Sequence, residues 1–262
     1  MDLGIRGRRA IINGGSAGLG KGCAAALARE GVDLVISARG EERLAATAEE
    51  ISTETGVSVT PVAADHTTAE GRERILAACP EPDILVSTCS PPPWGTDFRE
   101  VGPAQWQEYL ESGLLGPAEF IRATVDGMAE RGFGRVVNVT TGAAKFPSEM
   151  RILSGPPRAA LANYSVAAAK VMAKHNVTIN NLLPGFHHTA AAQEQFSKIA
   201  EKRGTSYAEE IDRWVERVGI PAGRFGDADD FGAICALFCS KYASYIVGQS
   251  LVVDGGITTA IF

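Results

Sequence analysis

Seven short apolar runs, at residues 10–13, 34–37, 57–62, 84–87, 136–140, 178–183 and 250–253, alternate with longer segments of helical periodicity. The helical segments lie near 18–30, 41–54, 68–78, 104–131, 156–174 and 228–240. This alternation constrains the fold more than any other feature. Continuous apolar runs are what strands look like when both sheet faces are covered, and a parallel neighbour is reached only through a crossover helix. The order predicts one α/β domain over residues 1–262. It would be a single Rossmann-type, doubly wound parallel sheet of about seven strands with helices on both faces. Right-handed crossovers leave few other topologies. Residues 189–222 break the pattern: they are polar, with helical pieces at 193–202 and 207–217 and no strand. An insertion after a strand's carboxyl end is expected to form a small helical substrate lid.

The chain's charge and residue content exclude several classes of function. A net charge of −6 argues against nucleic acid or an anionic membrane as the main partner. No apolar run approaches the roughly 20 residues of a membrane span, and residues 1–6 lack a signal peptide's apolar stretch. A cytoplasmic protein acting on a small molecule is the expectation. The five cysteines show no metal-like spacing, and Cys235 and Cys239, four apart on an apolar helical stretch, read as buried thiols. His187-His188 has no acidic or thiol cluster nearby, so no metal site is expected.

The first strand runs into Asn13-Gly14-Gly15-Ser16-Ala17-Gly18-Leu19-Gly20, and a helix opens at its end. Glycines let the backbone turn tightly and approach a pyrophosphate, while the helix N-terminus supplies amide donors. Gly14, Ser16, Ala17, Gly18, Leu19 and Gly20 are therefore candidate dinucleotide-binding residues. The second strand ends Ile36-Ser37-Ala38-Arg39. An acid here would hold a ribose 2′-hydroxyl. Ser37 stands in its place, and Arg39 is either a solvated surface residue or the partner of a 2′-phosphate. NADP(H) is expected rather than NAD(H).

The Gly-x3-Gly-x-Gly spacing resembles the short-chain dehydrogenase/reductase family, whose usual form has threonine where Asn13 stands. Asp65 resembles the family's adenine-contacting aspartate. Pro184-Gly185, followed by Thr189, resembles its nicotinamide loop, and residues 249–256 resemble its closing strand and turn. The likeness covers residues 5–257. It implies assembly into homodimers or homotetramers through the long fourth and fifth helices, and the small-residue run at 159–169 suits close helix packing.

The resemblance breaks at the catalytic residues. Where the family has Asn-Asn-Ala-Gly, this chain has Ser87-Thr88-Cys89-Ser90, with Cys89 in a cofactor-side position, and then Pro91-Pro92-Pro93-Trp94. The family's central-helix asparagine falls on Gly113, and its substrate-bonding serine on Thr141, which keeps a hydroxyl. Its Tyr-x-x-x-Lys pair falls on Ser154 and Arg158. Tyr164 and Lys170 do not substitute, because residues six apart lie about 240° round a helix, on another face; Tyr164 is expected to pack in the core or an interface. Ser and Arg at these positions resemble a divergent subgroup of proteins similar to β-ketoacyl-carrier-protein reductases. Ser154 also precedes Gly155-Pro156-Pro157, so it is either a catalytic hydroxyl or a helix N-cap. Arg158 does not deprotonate, but it suits a nicotinamide ribose or an anionic substrate group.

Three functions fit these residues. The first is an NADP(H)-dependent oxidoreductase acting on a carbonyl or secondary alcohol, with 3-oxoacyl compounds among the candidate substrates. Thr141 and Ser154 would polarise the oxygen and Arg158 would supply positive potential; the proton would come from Ser154 through water, Lys145, or His187 or His188. The second is a non-redox lyase, isomerase or hydrolase with Arg158 anchoring a carboxylate. The third is a silent subunit paired with an active homologue. The intact glycine turn and Arg39 favour the first, and Gly113 and Ser154 the last.

Overall fold

The computed structural model describes residues 1–258; the remainder of the expected domain, 259–262, lies outside the described residues. The chain runs β1 (Arg9–Asn13), α1 (Gly18–Arg29), β2 (Asp33–Ala38), α2 (Glu41–Thr55), β3 (Val59–Ala63), α3 (Ala69–Ala78) and β4 (Ile84–Ser87). It continues through α4 (Pro103–Leu110), α5 (Gly116–Glu130), β5 (Gly134–Val139), α6 (Gly155–Met172) and β6 (Val177–Pro184). The last elements are α7 (Ala190–Arg203), α8 (Tyr207–Val218), α9 (Ala228–Cys239) and β7 (Ser250–Val253). All seven strands are parallel, in the order β3-β2-β1-β4-β5-β6-β7. The order reverses between β1 and β4, and the crevice at their carboxyl ends is where a doubly wound sheet binds its ligand.

Alternate residues of each strand feed two cores. Ala10, Ile12, Leu34 and Ile36 pack under α1 and α9 with Cys23, Leu27, Phe231 and Cys235. Ile11, Val35, Leu85, Val136 and Ile179 pack under α5 and α6 with Phe120, Ile121 and Leu161. Tyr164 packs against this second core, as expected of it. On that same face the register turns polar across six strands: Ser37, Asn13, Ser87, Asn138, Asn181 and Ser250, the first four lying at or one residue before the ends of their strands. Asn138 Nδ2 donates to Ser165 Oγ on α6 at 3.0 Å and to Asn181 Oδ1 at 3.4 Å. Apolar packing therefore ends and hydrogen bonding begins one layer beneath the crevice.

Two differences from the sequence expectation have local causes. The helix expected over 104–131 is broken into α4, a π turn at Glu111–Leu115, and α5. Pro117 has no N–H to give the carbonyl four residues back, and a wider turn absorbs the missing bond next to it. The 189–222 segment forms α7 and α8 without a strand. It is anchored by an aromatic cluster in which Phe196 and Trp214 meet Phe225, Phe186 and Trp94 at centroid distances of 5.5–5.8 Å. Among the described residues, no helix is long and apolar enough to cross a membrane.

Candidate active site

The glycine turn leaves β1 with Gly14 at φ +76° and enters α1 with Gly18 at φ +54°, conformations that side chains rarely adopt. Close approach makes a second demand. A Cβ on Gly20 would collide with the Gly14 carbonyl, so α1 starts directly against the turn. Ala17, at the N-cap, has no side chain to cap α1, and the first amides of the helix are left for an anion. Ser16 is buried, and its carbonyl takes the Thr47 hydroxyl at 3.1 Å. Leu19 packs back into the core. A cavity of about 690 Å³ runs along the turn, lined by Ser16, Ala17, Gly18 and Lys21 on one side and His188 and Thr189 on the other. The expected nicotinamide loop thus lies beside the glycine turn. A Cβ on Gly18 would sit 3.3 Å from Thr189, whose hydroxyl oxygen caps α7 at Ala192. Gly185 follows Pro184 in contact with Asp254, where a Cβ would meet that residue's Cβ at 2.6 Å.

At the end of β2 the structure separates two residues that the sequence grouped together. Ser37 is buried, and its hydroxyl donates to Asn13 Oδ1 at 2.9 Å, so it does not face a ribose. The cause is strand alternation: Ser37 points into the same face as Val35, under the sheet's helices. Arg39, one step past the strand, is exposed, and among the described residues it has no hydrogen-bond or ion-pair partner. It lies close enough to Asp65 and His66 for its charge to act on both. Burial opposes the ionisation of Asp65, but the Thr67 amide (3.0 Å) and hydroxyl (2.7 Å) on Oδ1 outweigh it and hold the carboxyl below its ordinary range.

The altered catalytic residues converge. Arg158, on the first turn of α6 and buried, donates from Nη1 to Ser154 Oγ at 3.2 Å and from Nη2 to Cys89 Sγ at 2.7 Å and the Ser90 carbonyl at 3.4 Å. Ser154 does not cap α6. It has αR dihedrals (φ −93°, ψ −46°) and makes no capping bond. A cap hydroxyl accepts from the second or third helical amide, and here those positions are Pro156 and Pro157, which have no N–H. With its oxygen taken by Arg158, the Ser154 hydroxyl is left to donate its proton. Thr141 Oγ accepts the Ala143 amide at 3.3 Å and likewise keeps its proton. A Cβ on Gly155 would lie 2.8 Å from the Ala143 carbonyl, and one on Gly142 3.7 Å from that of Pro184, which ties the Thr141 loop to both Ser154 and the nicotinamide loop. At Gly113 a Cβ would meet Pro157 at 3.0 Å and Arg158 Cγ at 3.7 Å. Pro157 and the Arg158 side chain occupy the room that an asparagine would need.

Of the other proton-donor candidates, His187 is buried edge-on against Phe231 of α9 (5.3 Å), and desolvation lowers its pKa, so it is neutral near pH 7. Its ring nitrogen contacts only the Gly185 carbonyl, at 3.4 Å. His188 bonds Tyr207 of α8 at 3.0 Å. The Lys145 ammonium lies 5.6 Å from the Phe146 ring, and the residue is exposed. Two residues near Arg158 had no signal in the sequence. Tyr109 of α4 is half-buried, with its phenol raised in pKa by burial and Glu108 against the pull of Arg158. Arg151 stacks at 4.2 Å on the ring of Trp94.

The family model described as enoyl-(acyl carrier protein) reductase matches residues 14–258. The chain is 26% identical to a 3-oxoacyl-[acyl-carrier-protein] reductase of Aquifex aeolicus, over 98% of this chain and all of that one. It is 28% identical to an NADPH-dependent reductase of Bacillus subtilis, over 97% and 99% of the two chains. The structure of L-sorbose reductase from Gluconobacter frateurii, complexed with NADPH and L-sorbose, superposes over the whole of both chains with a TM-score of 0.94 at 28% identity. By sequence and by fold, the chain belongs to the short-chain dehydrogenase/reductase superfamily of oxidoreductases.

Proposed function

We propose that the chain is an NADP(H)-dependent oxidoreductase that interconverts a carbonyl and a secondary alcohol with a serine–arginine pair in place of the usual tyrosine and lysine. The glycine cradle fits a dinucleotide: Gly14 and Gly20 leave room that any side chain would fill, and α1 has uncapped amides at its start. Arg39, unpartnered at the end of β2, suits the 2′-phosphate, and Asp65, Thr189 and Gly185 would border the adenine and nicotinamide ends. When bound, the cofactor supplies or accepts the hydride.

The residues of the chain supply the rest. Thr141 and Ser154 donate hydrogen bonds from their hydroxyls to the substrate oxygen. The fixed charge of Arg158, held against Ser154, favours the alkoxide as negative charge develops in a buried setting. Serine is a weak acid, so the proton reaches the oxygen from water by way of the Ser154 hydroxyl. The observation that carries this reading is the 3.2 Å contact from Arg158 to a Ser154 that caps nothing. The NADPH-bound sorbose reductase and the NADPH-dependent Bacillus relative support the choice of cofactor. The reading is tested by calorimetric titration of the purified protein with NADPH and NADH, followed by nicotinamide absorbance over a panel of carbonyl compounds. NADPH-selective binding with turnover is expected; no binding of either cofactor refutes it.

A further inference from the structure

Arg151 sits in the Thr141–Ser154 segment, half-buried, and among the described residues none of its side-chain donors meets an acceptor and no carboxylate lies within ion-pair distance. In the loop whose Gly95 amide donates to the Met150 carbonyl, Asp97 is held by Arg99 through both oxygens. Other arginines with shielded side chains are matched: Arg131 meets the Pro82 carbonyl and Asp83, Arg72 meets the His66 and Thr67 carbonyls, and the fully buried Arg135 meets the Ser240 and Asn176 carbonyls. Arg151 instead faces a like charge. Burial, with the charge of Arg158 adding to it, brings its pKa down to about 10, so the Arg151 guanidinium remains charged near pH 7. Another donor in the same aromatic cluster, Trp214 Nε1, is buried with no acceptor, and its ring lies 5.5 Å from that of Trp94. A half-buried cation with no acceptor, beside a second cation, costs stability unless an oxygen-rich anion joins it. Guanidiniums are built for carboxylate and phosphate oxygens.

We propose that Arg151, reinforced by the charge of Arg158, receives a carboxylate or phosphate group of the substrate, so that the enzyme acts on acidic oxo or hydroxy compounds in preference to neutral ketones. The fate of that ligand rests on the oxidoreductase reading above; the anion site itself does not. Trp94 reports on it directly, because a group that moves the stacked guanidinium changes the indole's surroundings.

The test uses matched probes on the NADP⁺-saturated protein: pyruvate and acetoacetate against their methyl esters, and dihydroxyacetone phosphate against dihydroxyacetone. Binding is followed by tryptophan fluorescence and calorimetry. At least one charged probe is expected to bind about tenfold or more tighter than its neutral counterpart, the scale of one charge-assisted hydrogen bond, and its class separates carboxylate from phosphate. Arg151→Met, which keeps an aliphatic stem over Trp94, should reduce that preference to about twofold while leaving NADPH affinity unchanged. Equal affinity within every pair, absence of charged-probe binding, or a preference that survives in Arg151→Met overturns the proposal. Arg151-dependent binding of the acid with no oxidation of NADPH when NADPH replaces NADP⁺ would instead refute the redox reading and keep the anion site. Turnover with neutral ketones favoured would do the reverse.

Discussion

Arg39→Ala should convert an NADPH-selective protein into one that barely distinguishes the two cofactors. Arg39 is exposed at the end of β2 with no partner among the described residues, so removing it breaks no bond within the chain. A charge-assisted hydrogen bond to the 2′-phosphate is worth about 1.5–3 kcal/mol. Solvent and salt screen an exposed pair, which puts the loss nearer about 1.5–2 kcal/mol, or roughly 10- to 30-fold in NADPH affinity. NADH lacks the phosphate and should bind the variant within about twofold of the parent. Raising the salt concentration should shrink the NADPH advantage of the parent more than that of the variant. Ser37→Ala is the internal control: its hydroxyl is engaged by Asn13 at 2.9 Å, so stability falls slightly and the cofactor ratio does not move. Calorimetric titration of the three proteins with both cofactors measures all of this. An equal loss for NADH and NADPH in Arg39→Ala, or a Ser37→Ala variant with altered preference, would refute the reasoning.

Four further outcomes follow from particular contacts. Ser154→Ala should slow hydride transfer by about 100-fold, the scale for a lost oxyanion donor, with cofactor affinity intact; single-turnover kinetics at the parent's rate would remove Ser154 from the mechanism. Arg135 is fully buried, with a pKa brought to about 10 by desolvation, and donates to the Ser240, Gly134 and Asn176 carbonyls at 2.8–3.0 Å. Arg135→Met orphans all three and should cost about 3 kcal/mol, seen as a melting temperature lower by about 6–10 °C. In the α7–α8 segment, the Thr205 hydroxyl, opposed by burial and joined by Arg203 and Arg213, holds Glu210 below its ordinary 4.5. A depressed folded-state pKa gives stability that is present above the unfolded value and lost as the pH falls through the folded one. Acid should therefore loosen this segment below about pH 4.5, measurable by hydrogen exchange, and Glu210→Gln should abolish the pH dependence. The outward face of α6 presents Ala160, Ala167 and Val171, the last 66% exposed, and light scattering should give a dimer or tetramer that Ala167→Arg dissociates; a parent mass of 27.6 kDa would refute it.

What was legible in the sequence follows the range of the interactions that decide each feature. The glycine turn could be read because strand, turn and helix are contiguous, and the positive φ at Gly14 and Gly18 is a property of those residues alone. The Ser154–Arg158 contact was legible for the same reason, since residues four apart on a helix face each other. The direction of Ser37 was misread by a single step. Strand alternation puts side chains one apart on opposite faces, and the end of β2 fixes the phase only once its pairing with β1 is known. The π turn at Glu111–Leu115 was hidden because one widened turn barely disturbs apolar periodicity, although Pro117 marked the place.

Ser154 shows how a local rule can point the wrong way when it is applied by residue type alone. Serine before Gly-Pro-Pro has the composition of a capped helix start, yet Pro156 and Pro157 delete the very donors that a cap requires. The same prolines that suit the first turn release the hydroxyl to Arg158. Pro157 also crowds Gly113 together with the Arg158 side chain, so we propose that the residues at 113, 154 and 158 form one coupled set. We propose that the altered residues form a site rebuilt around a fixed cation rather than one decayed by separate losses. Arg151 extends that logic through tertiary contact alone: nothing beside it in the chain marks it, and only the stack on Trp94 brings a second positive charge toward the first.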